Sequence, residues 1–232
     1  MLDVCDSVGV QLGIAFNSVK SKCICIGPNK QLIPSDMMLS GGTMAWADKI
    51  KYLGIWICGG KKFAIDLSEC RRNFFSCVNT ILNKAKRTSE LLKLQLMESY
   101  CLPILTYAIE CFNLNVTELA QLNYWWNSVY RKMFNYHKWE SVRLLICKLQ
   151  RVDFINIYYL RKISFIKNLI RPIHKDGSEI MKHFTMHYIN ENEYLSLLSS
   201  NGMNLCSDWS MGRIKATIYV TFELSTSTNI LT

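Results

Sequence analysis

Apolar positions follow three regimes along the chain. Over the first sixty residues they come in short runs broken by glycine. An amphipathic segment ends between Gly9 and Gly13. "KCICIG" (22–27) then alternates up to Gly27-Pro28, and "IKYLGIWICGG" (50–60) alternates bulky and small residues around Gly54 before stopping at Gly59-Gly60. A period of two bounded by turn residues predicts strands. The 22–27 stretch reads as one strand, 50–60 as one or two strands of a hairpin, and 34–42 as a loop.

From Asp66 the spacing changes to three and four. Leu67, Cys70, Phe74, Cys77, Val78 and Ile81 trace one helical face, with Asp66 or Ser68 available as the cap. A second helix is predicted over 89–111, kinked at Pro103. A third opens at Thr117-Glu118 and runs to about Tyr136 with a stripe of Leu119, Leu122, Trp126, Val129, Met133 and Phe134. Trp125 and Trp126 are adjacent and so point different ways, one expected in the core and one at an interface. Two more helices are predicted over 140–150 and 152–170, the last ended by Arg171-Pro172. The apolar stretch 100–116 contains Pro103, Glu110 and two asparagines. It is shorter than the roughly 20 apolar residues of a membrane span, so it reads as a buried helix and no membrane association is expected. After Asn190 the chain turns Ser- and Asn-rich; "IKATIYVTFEL" (214–224) is an isolated strand candidate. The pattern as a whole predicts an α+β fold, mainly α, in which a small β-containing part at 1–62 precedes a helical part at 63–189 and a weakly structured tail at 190–232.

Composition sharpens this. Half of the 232 residues are hydrophobic, enough for a packed core and too many for wholesale disorder. The formal net charge of +9 is unevenly spread. Residues 61–100 carry 8 basic and 4 acidic groups and residues 131–182 carry 12 and 4, whereas 101–130 have no basic residue. Two basic blocks separated by an apolar segment favour a phosphate-bearing partner. The ten cysteines include no CxxC pair and follow no secretory leader. They read as buried thiols of an intracellular protein, cytoplasmic or nuclear.

Three strings, in order, carry a resemblance. "GVQLGIAFNSVKSKCICIG" (9–27) is a glycine-ended helix, FN-x-x-K-S and a strand. "WADKIKYLGIWI" (46–57) is a hairpin carrying KYLG. "LQLMESYCLPILTYAIECF" (94–112) with "LNYWWNSVYRKMF" (122–134) is a pair of apolar helices. Together they resemble palm motif D, the primer-grip motif E and the thumb of non-LTR retrotransposon reverse transcriptases, the LINE-like and jockey-like group. By that resemblance the 1–62 part is a palm remnant and 63–189 a helical thumb-like domain.

The resemblance also implies a departure. The family's catalytic tyrosine-x-aspartate-aspartate loop lies just before motif D, and this sequence begins in what would be the next helix. Asp3 and Asp6 form no Asp-Asp pair. Two-metal phosphoryl transfer needs carboxylates clamping Mg²⁺ ions roughly 3.5–4 Å apart. The expectation is therefore a chain with no catalytic residue and no cofactor of its own, Mg²⁺ belonging to the complete family enzyme, that does not polymerise DNA but binds RNA or an RNA–DNA hybrid. Tyr52, Leu53 and Gly54 would meet the primer by resemblance, glycine letting a backbone approach closely; the same residues also suit an ordinary hairpin with a buried Tyr and Leu. Lys20 stands at the motif D lysine, which by that resemblance would donate a proton to the leaving pyrophosphate in a complete enzyme, and is otherwise a solvated lysine. Lys84, Lys86, Arg87, Arg131 and Lys132 are candidate phosphate contacts, or a solvated helix face. A protein-interaction module, self-associating through exposed apolar surface, and a decayed retroelement product are the alternatives. His183 and His187, spaced i, i+4 with Glu179 nearby, lack HExxH and read as a surface pair.

Overall fold

A computed structural model describes residues 2–28 and 37–176; the expected tail at 190–232, its strand at 214–224, and Glu179, His183 and His187 lie outside the described residues. The architecture is α+β and mainly helical, with two small three-stranded sheets. The chain divides into two compact units, Met1–Glu69 and Cys70–Thr232.

In the first unit, helix α1 (Leu2–Leu12) ends where Gly13 takes a φ of +67°, the left-handed stop that glycine adopts without Cβ strain. Strand β1 (Lys22–Cys23) pairs parallel to β3 (Gly42–Trp46), and β3 pairs antiparallel to β2 (Met37–Leu39). The 34–42 stretch is therefore no simple loop: its second half is β2 and the Ser40-Gly41 turn. The pairing closes over that two-residue turn, at φ +49° and +73°, and Asp6 of α1 adds a nonlocal cap. Its carboxylate accepts the Ser40 N–H at 2.9 Å and the Ser40 hydroxyl at 3.1 Å. The second sheet is a hairpin, β4 (Lys49–Tyr52) and β5 (Ile55–Cys58), extended by β6 (Ala64–Asp66). The 22–27 segment joins the two sheets: the Ala47 N–H donates to Cys23 O, and the Gly60 N–H to Cys25 O. Gly59 sits in that seam, where an added Cβ would lie 2.9 Å from Cys25 O.

In the second unit, α2 (Ser68–Lys84) contributes Phe74 and Val78 to the core; its start lies at the boundary, Asp66 accepting the Ser68 N–H at 2.8 Å as a cap. The expected 89–111 helix is broken into pieces. Ser89 caps α3 (Glu90–Leu96), a π-helical turn follows (Met97–Cys101), then α4 (Leu102–Leu105) and a 3₁₀ turn (Ile109–Cys111) after Ala108 at φ +53°. Pro103 cannot donate to the helix, and in a regular one its ring meets the carbonyl of residue 99. The wide turn relieves both conflicts, with the Leu102 N–H reaching back to Met97 O. The apolar 100–116 run is accordingly a series of short turns and a loop rather than one buried helix.

Helix α5 (Val116–Met133) starts one residue before the expected Thr117. Its cap is Asn115, whose side chain accepts the Glu118 N–H while Glu118 accepts the Asn115 N–H, a reciprocal capping box. Both Trp125 and Trp126 are buried, against the expected split. The partners on α2 are broad enough for both: Trp126 packs 6.4 Å from Phe74, and Trp125 6.4 Å from Phe75. Helix α6 (Arg143–Lys148) adds Ile146, and α7 (Phe154–Asp176) adds Phe154, Tyr158 and Ile163. Helix α7 continues through Pro172 instead of stopping there. A proline removes one hydrogen bond and strains a helix without forbidding it.

Two features of this core stand out chemically. Cys101 Sγ lies 3.4 Å from Cys77 Sγ and 3.6 Å from Met97 Sδ, and burial raises the Cys101 thiol far above its ordinary value. Lys162 is 2 % exposed. Its ammonium donates to Phe112 O at 2.7 Å, to Tyr158 Oη at 2.9 Å and to Asn113 Oδ1, while Tyr158 Oη donates to the same Phe112 carbonyl. This clasp holds the Phe112-Asn113 loop before α5 against α7. Burial pushes Lys162 down to about 8.

Candidate nucleic-acid interface

The hairpin tip follows from two backbone angles. Tyr52 pairs with Ile55, leaving Leu53 and Gly54 as a two-residue loop at φ +46° and +85°. Positive φ at both positions is the type I′ turn, whose twist matches that of the strands. Glycine accepts it freely; a leucine there costs roughly 1–2 kcal/mol. Tyr52 is 63 % and Leu53 71 % exposed, so neither is the buried residue of an ordinary hairpin. The tip is an apolar point on a strained turn.

Behind it the basic residues of β4 are committed. Lys51 donates to Glu69 at 2.8 Å and Lys49 to Asp66 at 3.3 Å, and they lie 5.6 and 5.0 Å from the centroid of the Trp56 ring. The Trp56 indole N–H donates to Glu69 as well. Asp66 is held below its ordinary pKa by the bonds from Ser68, with Lys49 adding to them. These pairs tie the hairpin's root to Asp66 and Glu69 at the end of the same unit. Lys20 is exposed in the turn after α1, where its N–H donates to Asn17 Oδ1 at 3.0 Å.

In the second unit, Lys84 closes α2, and Lys86 and Arg87 flank the tight turn into α3, all three exposed. Buried Ala85 anchors that turn, its carbonyl accepting the Thr88 hydroxyl at 2.8 Å. The three cations therefore gather at the negative end of the α2 dipole. Lys132 is exposed on α5 and reaches Asn79 Oδ1 on α2 at 3.4 Å, 5.3 Å from the Phe75 centroid. Asn79 and Lys84 are about 7.5 Å apart along the axis and roughly 140° around it. Lys132 and the 84–87 group thus share one end of α2 but not one face. Arg131 is half-buried and spends Nε on Glu140 O at 2.9 Å, with its guanidinium 5.8 Å from the Tyr124 ring centroid.

The loop this arginine supports carries no periodic signal in the sequence. Residues 136–139 interleave two aromatics with a histidine and a lysine, all exposed. Among the described residues, no group of three or more His, Cys, Asp and Glu is placed to hold a metal, and no helix is long and apolar enough to cross a membrane. No protein-family model, curated protein or solved structure matches the chain.

Proposed function

We propose that the chain is a reverse-transcriptase-like protein that binds RNA or an RNA–DNA hybrid through its phosphate backbone, with the hairpin tip as its apolar contact. The observation that carries this reading is the tip: the KYLG string forms a type I′ turn that holds Tyr52 and Leu53 out of the core. The exposed Lys84, Lys86 and Arg87 supply the charge, and contacts of this kind position a nucleic acid without reading its sequence. The reading assigns binding, and no polymerisation chemistry, to the described residues.

The test is titration against a labelled RNA–DNA hybrid at several salt concentrations, alone and with Lys84, Lys86 and Arg87 changed together to Ala. Affinity should fall steeply with salt, and the triple variant should bind more weakly with a shallower salt slope. Absence of binding at low salt, or binding indifferent to salt, overturns the reading.

One observation favours a second role. Val4, Val8 and Leu12 lie at i, i+4, i+8 of α1 and are 62, 43 and 66 % exposed. A stripe of that spacing suits association with another apolar surface. Light scattering decides: a soluble monomer at high concentration removes this role, and a dimer lost in Val8→Glu supports it.

A further inference from the structure

Among the described residues, Trp139 is one of the most exposed large side chains, at 73 %. It is not loose. Its ring stacks on His137 with an interplanar angle of 1° and centroids 4.9 Å apart. The loop that carries the pair is closed on itself. The Glu140 N–H donates to His137 O at 3.1 Å, the His137 N–H donates to the Glu140 carboxylate, and the Tyr136 N–H returns to Arg131 O at 3.0 Å. Arg131 locks the far side through Glu140 O, and Asn135 enters the loop at φ +56°. Aromatic surface is normally buried or given a partner. Here a tightly tied loop holds an indole plane outward, beside the exposed Lys138 and just after the exposed Lys132.

We infer that the 136–139 loop is a stacking platform for an unpaired base of single-stranded nucleic acid, which lies on the outer face of Trp139 while Lys138 takes the adjoining phosphate. The inference rests on the nucleic-acid reading proposed above and adds a contact that the hairpin and the 84–87 cations do not provide. A flat ring whose inner face is already occupied by His137 offers one open π-face, and every base has a π-face to meet it. Duplex phosphates alone have no use for an indole plane. An acidic peptide would use Lys138 but not the stack. Ordering is already present in the loop, so little conformational freedom is lost on binding.

The experiment compares a 5′-labelled oligo(dT) with an abasic strand of the same length, by anisotropy, for the wild type and for Trp139→Ala, Trp139→Leu and Trp139→Phe. Far-UV circular dichroism and melting are expected unchanged, because the side chain is mostly in solvent. Wild type should prefer the strand with bases by about tenfold. Ala and Leu should erase the preference, Phe should keep most of it, and the salt slope should be common to all four. A preference that survives Trp139→Ala overturns the platform, and one retained by Leu overturns stacking in favour of plain apolar contact. If the abasic strand binds and the Lys84/Lys86/Arg87 variant weakens it, yet Trp139→Ala changes nothing, the backbone reading stands and this inference fails. If neither strand binds at low salt, the platform fails, and the hybrid titration alone decides the backbone reading.

Discussion

Replacing Leu53 by Asn should make the protein more stable and a poorer nucleic-acid binder. Leu53 sits at φ +46° before Gly54 at +85°, and an L-residue with a Cβ loses roughly 1–2 kcal/mol in the left-handed region. Asparagine is several-fold enriched there, and Asn-Gly is the preferred type I′ pair. Against this gain stands the contact Leu53 makes. At 71 % exposed it hides under a third of a side chain whose full burial contributes about 1.5–3 kcal/mol, hence roughly 0.5–0.9 kcal/mol. The balance is a gain of about 0.5–1 kcal/mol, or a rise of roughly 1–4 °C in Tm for a chain of this length. If the tip meets nucleic acid, the lost apolar surface weakens hybrid binding by about fivefold. Melting followed by circular dichroism, paired with hybrid titration at fixed salt, reads both numbers. An unchanged or lower Tm refutes the strain argument. A higher Tm with unchanged affinity refutes the role of the tip.

Three further outcomes follow from named contacts. Lys162, at about 8 when folded against an ordinary 10.5, binds fewer protons folded than unfolded between those values. Stability should therefore rise with pH across that window, and the wild type should gain about 2–3 kcal/mol over Lys162→Met from pH 7 to 10 in urea titrations; a flat difference disproves the buried charge. Asn115→Ala removes the capping box of α5 and should cost about 1 kcal/mol by the same assay, with Asn115→Asp close to wild type. Gly59→Ala should destabilise the first unit, since its Cβ would press on the backbone oxygen of Cys25; hydrogen exchange at Gly60 and Ala47 should accelerate, and unchanged protection would refute the close packing of that seam.

The hairpin and α5 were legible because their signals are local: a glycine amid alternation, and an unbroken three-four spacing. What escaped the sequence was nonlocal. Residues 37–39 pair with 42–44 in a tight hairpin, and its turn is capped by Asp6, more than thirty residues away. The π turn exists to accommodate Pro103, yet the spacing of Leu94, Met97, Cys101 and Leu105 is that of a regular helix. Both tryptophans are buried because α2 offers adjacent phenylalanines, which periodicity on α5 cannot reveal. Of the candidate site, the cations at 84–87 could be read as a surface group from their place at a helix end. Arg131 could not, because its partner Glu140 belongs to a later loop. The aromatic interleaving of 136–139 was present in the letters, but the 1° stack that gives it meaning is a property of the folded loop.

The sulfur pair in the helical core has a practical consequence. Burial raises both the Cys101 and the Cys111 thiols, Glu110 adding to the second, but Cys101 is wholly covered whereas Cys111 is exposed. An alkylating reagent needs a thiolate and access, so it should modify Cys111 long before Cys101. Labelling of Cys101 must wait for α2 and the π turn to part, so its slow rate becomes a built-in clock for the opening of the second unit. That clock needs no introduced probe, and run with and without a bound strand it would report how far the ligand holds the helices shut.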